Sequence, residues 1–346
     1  MPDATVIPIS GDDPGRKAAS RAARQAGATG PAARTRATPP PPPPEPVDPV
    51  DAGYDVDDTD HDVDGSPTRL DETVADWLDF LRRRITGEYE IDDFGFDAEL
   101  TDRVILAPAR PLYEKWFRVE TRGIENMPGE GGALVVANHS GTIALDAVMT
   151  QVALHDHHPA HRNLRMLGAD LVFQAPFMGE VARKSGHTLA TNTDAERLLS
   201  AGEVVGVWPE GFKGIGKPYS ERYKLQRFGR GGFVATALRT KTPIIPCAIV
   251  GAEEIYPIIG NAKTVARLFN LPYFPITPTF PWLGPLGLVP LPSKWIIEFC
   301  EPIPTDHYPD GAADDPMLVF NITDQVRETI QQSLYRLLVQ RRSVFR

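Results

Sequence analysis

Short, wholly apolar runs alternate with helix-patterned segments in this chain, and this alternation limits the fold more than any other feature. Residues 131–137 (Gly-Gly-Ala-Leu-Val-Val-Ala) have the length of a buried strand, and residues 143–153 have the apolar spacing of a helix. Similar apolar runs recur at 204–208 and 244–250. Strands that alternate with helices predict an α/β fold, in which a mostly parallel sheet is flanked by helices.

The same criteria place further elements along the chain. Strands are predicted at 118–121, 133–137, 165–168, 204–208, 244–250 and 295–299. Helices are predicted at 73–84, 100–116, 143–153, 178–184, 194–200, 231–239 and 317–340.

The beginning of the chain has a composition that does not support a core. Residues 1–38 are rich in Ala, Arg and Gly, residues 39–46 are almost all proline, and residues 47–66 are dense in aspartate. Such segments bury too little apolar surface to offset the entropy lost on ordering. We therefore predict a disordered tail at 1–70, a helical segment at 71–117 that packs on the domain, and the main domain at 118–346.

The negative charge of the chain is concentrated in this tail. Residues 1–38 carry six Lys and Arg against three Asp, and residues 39–66 carry nine acidic residues and no basic ones. Removing +3 and −9 from the formal net charge of −10 leaves −4 for residues 67–346. The acidic balance therefore says little about the substrate, and we predict no nucleic-acid partner.

The cysteines and the apolar runs bear on the cellular location. Cys247 and Cys300 lie in strand-like runs without metal-site spacing, so we predict reduced core residues, with a nucleophilic cysteine as the alternative. Residues 1–30 hold no signal-peptide core, and no apolar run is long enough to span a membrane. We expect a cytoplasmic protein, peripheral at the inner face of the membrane.

A histidine follows the first buried run, in the segment Asn138-His139-Ser140-Gly141. Open α/β sheets place their reactive groups at the carboxyl ends of strands. A histidine there can act as a general base near neutral pH, and Asp146 on the following helix can orient its ring. The alternative is a surface histidine with an aspartate on a helix surface.

The apolar run at 204–208 ends in Pro209-Glu210-Gly211. An Asn-His…Asp segment followed by a strand that ends in Pro-Glu-Gly resembles the glycerophospholipid acyltransferase family, which includes the 1-acylglycerol-3-phosphate acyltransferases. The resemblance covers about residues 119–302. It implies the αβ acyltransferase domain, a mostly parallel sheet flanked by helices.

The resemblance also implies roles for individual residues. His139 would take the proton from an acceptor hydroxyl as that hydroxyl attacks an acyl thioester, and Asp146 would orient His139. Backbone N–H groups at the predicted helix start, those of Ser140, Gly141 and Thr142, are candidate donors to the oxyanion. Glu210, Gly211 and Lys213 would bind the acceptor or its phosphate. Acyl-CoA or an acyl carrier protein would be the co-substrate, and neither a further cofactor nor a metal is implied.

Two departures from the family pattern concern the acceptor. Six residues separate His139 from Asp146 where the family commonly has four, a form that is similar to the monoacylglycerol and diacylglycerol acyltransferases. Thr191 or Asn192 stands where the family has an arginine for the acceptor's phosphate. The departures leave a lysophospholipid and a mono- or diacylglycerol open as acceptors.

Three other segments allow more than one interpretation. Lys213, Lys217, Arg222 and Lys224 could form a basic loop for phosphate or coenzyme A, or a solvated charged loop. Residues 254–292 are apolar and rich in proline and aromatics, so they could contact a membrane interface, line an acyl tunnel or pack onto the sheet. His155, His157 and His158 could suggest a metal, but a polar helix end or loop is the favoured interpretation, because the sequence places no second pair of ligands.

These observations favour an O-acyltransferase of phospholipid or glycerolipid biosynthesis. It would move a fatty acyl group from acyl-CoA, or from an acyl carrier protein, to a hydroxyl of a glycerolipid acceptor. The alternative is a lipid-binding or scaffold protein that keeps the fold without catalysis.

Overall fold

The computed structural model describes residues 69–174, 178–229, 231–269 and 271–345. The tail predicted at 1–70 lies outside the described residues, except for its last two positions, which begin helix α1 (Arg69–Thr86). Phe80 of α1 is buried, whereas Leu78, Leu81 and Ile85 are exposed.

A second helical segment, 98–116, contains turns of two kinds. Its α-helical parts, α2 (Ala98–Leu100) and α3 (Ala107–Pro111), are each followed by π-helical turns (Thr101–Leu106 and Leu112–Trp116). Two prolines in α3, Pro108 and Pro111, lack the N–H that an ordinary turn needs, and wider turns lie on both sides of α3. The segment buries Leu106, Tyr113 and the adjoining Phe117 in the core.

The strands form one seven-stranded sheet and one small two-stranded sheet among the described residues. They are β1 (Glu120–Arg122), β2 (Ala133–Ala137), β3 (Leu164–Gly168), β4 (Thr188–Leu189), β5 (Val204–Val207), β6 (Ile244–Val250), β7 (Gly260–Asn261), β8 (Pro275–Ile276) and β9 (Ile296–Phe299). The order in the large sheet is β1-β9-β6-β2-β5-β3-β4, and β7 pairs with β8. All pairs in the large sheet are parallel except β6 with β9.

Strand β2 lies at the centre of this sheet, between β5 and β6. Val135 pairs with Gly206 on one side and Ile245 on the other. Parallel strands that are covered on both faces are apolar throughout, because side chains on either face meet a layer of helices. The predicted α/β class with a mostly parallel sheet is confirmed.

Helices cover the two faces of the sheet. They are α4 (Leu145–His157), α5 (Asp170–Gln174), α6 (Met178–Lys184), α7 (Asn192–Ser200), α8 (Phe212–Ile215), α9 (Gly232–Thr240), α10 (Lys263–Leu268) and α11 (Pro316–Gln340). Val135 of β2 belongs to a buried cluster with Met149 of α4, whereas Leu134 belongs to a second cluster with Ile330 of α11. The alternation along β2 therefore divides the core into two layers.

Both cysteines are buried and free. Burial raises the pKa of the Cys247 thiol well above its usual range and that of Cys300 to about 11, so neither has the depressed pKa of a nucleophile. No helix in the described part of the chain is long and apolar enough to cross a membrane.

Candidate functional site

Strands β2, β5 and β6 are parallel neighbours, so their carboxyl ends meet at one edge of the sheet. Each strand is followed there by polar residues: His139 after β2, Glu210 after β5 and Glu253 after β6. This edge of an open α/β sheet is where ligands bind.

His139 and Asp146 are joined by a hydrogen bond, with 2.8 Å between Nδ1 and a carboxylate oxygen, Oδ2. The Asp146 side chain is fully buried and that of His139 is 14% exposed. Because an ionised carboxylate only accepts hydrogen bonds, Nδ1 carries the ring proton. Nε2, which has no partner among the described residues, is then free to accept a proton.

The Asp146 carboxylate is fixed by backbone groups as well as by His139. Its Oδ2 accepts the N–H of Ser140 at 2.9 Å, and its Oδ1 accepts the N–H of Ala147 at 2.9 Å. Asp146 lies in the first turn of α4, where a negative charge is favoured by the helix dipole. The carboxylate is therefore held in one orientation toward the histidine.

The long spacing between the two residues is taken up by a loop. The helix was predicted to begin at residue 143, but α4 begins at Leu145. Gly141 has a φ of +80°, and the N–H of Leu145 donates to the carbonyl of Ile143 at 2.6 Å, so the chain turns before the helix starts. The six intervening residues thus bring Asp146 back to His139.

Asn138 secures this loop to the neighbouring strand. Its side-chain amide donates to the carbonyl of Ile249 at 3.0 Å and accepts the N–H of Ile249 at 2.8 Å. The side chain thereby extends the β2–β6 ladder by one step beyond the end of β2. Asn138 was not among the predicted site residues, and it supports the position of His139.

The sequence predicted that Glu210 contacts the acceptor or its phosphate. In the structure the Glu210 side chain instead contacts backbone groups of the protein. Its side chain is fully buried, with one oxygen accepting the N–H of His139 at 3.0 Å and the other the N–H of Gln226 at 2.6 Å. Both oxygens are thus occupied, and Glu210 positions the loop 138–144, which carries His139. Gly214 lies so close that an added Cβ would be 2.8 Å from the His139 carbonyl oxygen.

The cations of the predicted basic loop differ in burial and in partners. The loop contains Lys213, Lys217, Arg222 and Lys224. The Lys217 ammonium is buried, 3.1 Å from Glu253 and 3.6 Å from Glu210, and it donates to the Lys224 carbonyl at 3.0 Å. Lys217 is therefore unavailable to a phosphate. Lys213, two residues beyond Gly211 at the start of α8, is exposed and has no ionic partner among the described residues.

An apolar cavity of about 340 Å³ opens beside His139. Its wall is formed by the ends of β3 and β5, the first turns of α4 and α8, and the residues around β4. His187 also lines it, and burial lowers the pKa of that imidazole to about 4, so His187 is uncharged at neutral pH. The cavity suits an uncharged, chain-like ligand.

Trp208 lines the same cavity, with its ring centroid 5.9 Å from that of His139. Its indole N–H is buried and has no partner among the described residues. A buried donor without a partner is uncommon and is expected to meet a ligand. Sequence reasoning missed Trp208, although its place directly before Pro209-Glu210-Gly211 was a usable signal.

The predicted oxyanion donors differ in their contacts. The N–H of Ser140 donates to Asp146, so it is not available to a ligand. The N–H groups of Gly141 and Thr142 have no acceptor among the described residues, but neither residue lines the cavity. The Thr142 carbonyl accepts the hydroxyl of Tyr273 at 2.8 Å.

Tyr273 belongs to the apolar segment 254–292, part of which is exposed. Trp282 is 72% exposed, and Ile259, Leu268 and Leu286 are exposed beside it in sequence. The Tyr273 hydroxyl ties the segment to the loop 138–144. The segment neither packs wholly onto the sheet nor lines the cavity beside His139.

The histidine cluster near the end of α4 and Thr191, at the predicted arginine position, both make contacts within the protein. Asp156 pairs with Arg110 at 2.7 Å and with His155 at 2.9 Å, and the described residues hold no group of three or more metal-binding side chains. Thr191 caps α7 by accepting the N–H of Asp194 at 3.1 Å.

Comparisons with known proteins identify several similar chains. The sequence model of the acyltransferase family matches residues 118–250. An uncharacterized protein of Mycobacterium tuberculosis strain H37Rv is 58% identical over 287 residues, which are 83% of this chain and 80% of that one. The DGAT1/2-independent enzyme synthesizing storage lipids of Bos taurus is 24% identical over 167 residues, 48% of each chain. The crystal structure of the 1-acyl-sn-glycerophosphate (LPA) acyltransferase PlsC from Thermotoga maritima matches with a TM-score of 0.45 and 17% identity, covering 71% of this chain and 85% of that one.

Proposed function

Because this chain belongs to the acyltransferase family and is an acyltransferase, we propose that it moves a fatty acyl group to a hydroxyl of a glycerolipid acceptor. The donor in this proposal is acyl-CoA or an acyl carrier protein. The observation that carries the proposal is the His139–Asp146 pair at the edge of an apolar cavity.

His139 is the general base of the proposed reaction. Nε2 takes the proton of the acceptor hydroxyl while the oxygen attacks the thioester carbonyl carbon. When the C–S bond breaks, the imidazolium returns this proton to the leaving sulfur, so the thiol departs, the ester remains and His139 is again a free base. Asp146 accepts a hydrogen bond from Nδ1–H, which keeps Nε2 free, and its charge stabilises the imidazolium that forms. Glu210 holds the His139 backbone, which fixes where the ring stands.

The acyl chain lies in the cavity beside His139 in this proposal. The walls offer apolar side chains and the indole N–H of Trp208, which has no partner among the described residues and is a donor for the thioester carbonyl oxygen as negative charge builds on it. Lys213 is exposed close by and is a candidate for a phosphate of the donor or acceptor.

The acceptor is a lysophospholipid or a mono- or diacylglycerol. Thr191 serves as a helix cap where the family pattern has an arginine, which favours an uncharged acceptor. The similar Bos taurus enzyme is named for synthesizing storage lipids, which also supports the acylglycerol class.

We also propose that the exposed part of 254–292 contacts the surface of a membrane. Tryptophan is favoured at lipid interfaces, and Trp282 and Leu286 project from the segment that Tyr273 ties to the loop 138–144. Such contact would bring a lipid acceptor to the enzyme. Co-sedimentation with phosphatidylcholine and phosphatidylglycerol vesicles should fall in the double variant Trp282→Ser, Leu286→Ser and should not fall in Phe320→Ser, which changes an exposed aromatic on α11.

Acceptor-dependent release of thiol from palmitoyl-CoA tests the enzymatic proposal. Lysophosphatidic acid, lysophosphatidylcholine, monoacylglycerol and diacylglycerol form the acceptor panel, and lipid products are identified by mass spectrometry. Asp146→Asn should slow the reaction by about 10²-fold or more, since the amide cannot serve both backbone N–H donors and the ring proton. Thiol release that no acceptor stimulates, with no ester product, would instead support the non-catalytic alternative.

A further inference from the structure

A second cavity, of about 450 Å³, lies at the same edge of the sheet, beyond the end of β6. It is built from three distant parts of the chain: the loop after α8, Glu254 after β6, and α11 with the residues that follow it. Four cations stand around it, Arg222, Lys224, Arg341 and Arg342. The sequence placed two of these in a loop near Glu210 and gave no reason to join them to the other two.

The cations of this cavity are only partly neutralised. Arg341 forms a two-point pair with Glu254, at 2.9 and 2.5 Å, and its side chain is 5% exposed. Arg222, Lys224 and Arg342 are exposed and have no carboxylate partner among the described residues. One carboxylate therefore faces four cations, and the surplus positive charge around a concave surface attracts anions.

The chain that carries Arg342 is fixed in place. The Arg341 guanidinium donates to the carbonyl of Ser343 at 3.1 Å and that of Val344 at 2.9 Å, which turns the backbone around it. The N–H of Lys294 then donates to the Val344 carbonyl at 2.7 Å. Arg342 is thus held at the rim of the cavity by backbone contacts on both sides.

Residues that line this cavity are hydrogen-bonded to residues that hold the loop around His139 in place. The Tyr223 hydroxyl donates to Glu254 at 2.8 Å, and the Tyr223 N–H donates to Glu253 at 3.0 Å. Glu253 contacts Lys217, which lies beside Glu210. A ligand in the cavity would therefore sit on the framework that holds His139.

We propose that this cavity binds a phosphate group of a ligand. Arginine and lysine recognise phosphate through charge-assisted hydrogen bonds, and a second charged oxygen of the same group can reach a second cation. The group belongs to coenzyme A, which carries a diphosphate and a ribose phosphate, or to an anionic lipid headgroup. The choice of coenzyme A rests on the proposed function, but the phosphate site itself does not.

Equilibrium binding to the full chain tests this site. Isothermal titration is carried out on His139→Ala, which prevents turnover, with coenzyme A, pantetheine and inorganic phosphate as ligands. Lys224→Gln and Arg342→Gln should each weaken coenzyme A binding about five- to tenfold, and the double variant by more. Pantetheine, which has no phosphate, should bind equally to all variants.

Lys115→Gln is the matched control, because Lys115 is also exposed and free of ionic partners among the described residues but lies outside the cavity. Flotation with phosphatidic acid and phosphatidylcholine vesicles forms the lipid arm. Weakening of the phosphatidic acid arm alone assigns the site to a headgroup, and weakening of the coenzyme A arm assigns it to the donor. Unchanged binding in both arms, or equal weakening by Lys115→Gln, overturns the proposal. A cavity that binds phosphate in a protein without acyl transfer would refute the proposed function and leave the site standing.

Discussion

The carboxyl ends of β2 and β6 lie at the same edge of the sheet, but the buried polar groups beyond the two strands differ in how they are paired. Beyond β2, His139 keeps Nε2 free and faces a cavity, and Trp208 beside it has a free N–H. Beyond β6, Glu253 and Glu254 are each paired with a cation, Lys217 and Arg341.

The unpaired groups of His139 and Trp208 can bind a ligand, whereas the paired carboxylates of Glu253 and Glu254 hold the loops in place. Buried polar atoms in folded proteins are almost always paired, so an unpaired one at a cavity wall indicates an absent partner. Fully paired carboxylates have no capacity left for a ligand and instead join loops that the strands leave apart. Substitutions at His139 and Trp208 should therefore affect turnover, and those at the buried, paired Lys217 and Glu253 should affect stability.

The largest effect is expected at the free nitrogen of His139. His139→Ala should reduce acyl transfer by roughly 10³-fold, because a hydroxyl at neutral pH needs a base in order to attack. The temperature of unfolding should stay close to that of the wild type. His307→Ala changes a more exposed histidine and should keep full activity. Comparable activity in both variants would remove His139 from the mechanism.

Lys217→Met tests the paired side of the comparison. It leaves Glu210 and Glu253 buried without their cation, so the free energy of unfolding should fall by about 3–5 kcal/mol. Urea denaturation measures this quantity. Lys213→Met removes an exposed lysine from the same region and should change the free energy by no more than about 0.5 kcal/mol. Equal effects of the two substitutions would show that the buried pairing is energetically unimportant.

Trp208→Phe separates the indole N–H from the ring. Phenylalanine keeps an aromatic wall at the cavity but cannot donate, so acyl transfer should slow by about tenfold with little change in stability. Steady-state kinetics with saturating acceptor measure the change. Trp77→Phe, at an exposed position on α1, is the control. If Trp208→Phe turns over at the wild-type rate, the free donor has no role in the reaction.

Glu253→Gln tests the paired side of the comparison through the dependence of stability on pH. Burial is the main cause that raises the pKa of Glu253 to about 7 from 4.5, although Lys217 opposes it. Between these values the folded protein retains the proton that the unfolded chain has lost. The wild type therefore loses stability as the pH rises from about 4.5 to 7.

The glutamine variant lacks this contribution. Urea denaturation at pH 5, 6 and 7 should show that the stability difference between the two proteins changes steadily with pH. His187, whose folded pKa is lowered to about 4, contributes a slope of opposite sign between pH 4 and 6.5, but it does so in both proteins. A difference that does not depend on pH would contradict the raised pKa of Glu253.

The sequence predicted the bounds of two central strands and the contact between His139 and Asp146, whose catalytic roles stay a prediction. Strands β2 and β6 have the predicted bounds, because a strand buried on both faces is apolar at every position. The pair could be predicted because His139 closely follows strand β2 and Asp146 lies in the first turn of the next helix, α4. The start of α4 was wrong by two residues, since the conformation of Gly141 depends on packing.

The contacts of charged residues could not be predicted in the same way. Lys217 and Lys224 lie in one loop and have the same chemistry in the sequence, yet one is buried and the other is exposed. Burial of a charge depends on carboxylates that arrive from other strands, such as Glu253 after β6. Arg341 and Arg342 reach the edge of the sheet only because α11 ends there.

The central position of β2 has a consequence for how the active enzyme is made. Its partners come later in the chain: Ala133 pairs with Val204, and Leu134 pairs with Ile244. At about 5–20 residues per second, a ribosome adds the second partner several seconds after β2 has been synthesised. Glu210 is added partway through that interval, and until β6 follows, the loop that carries His139 lacks the ladder to β6. In refolding, where such long-range pairing is slow, recovered activity should follow sheet completion more closely than helix formation.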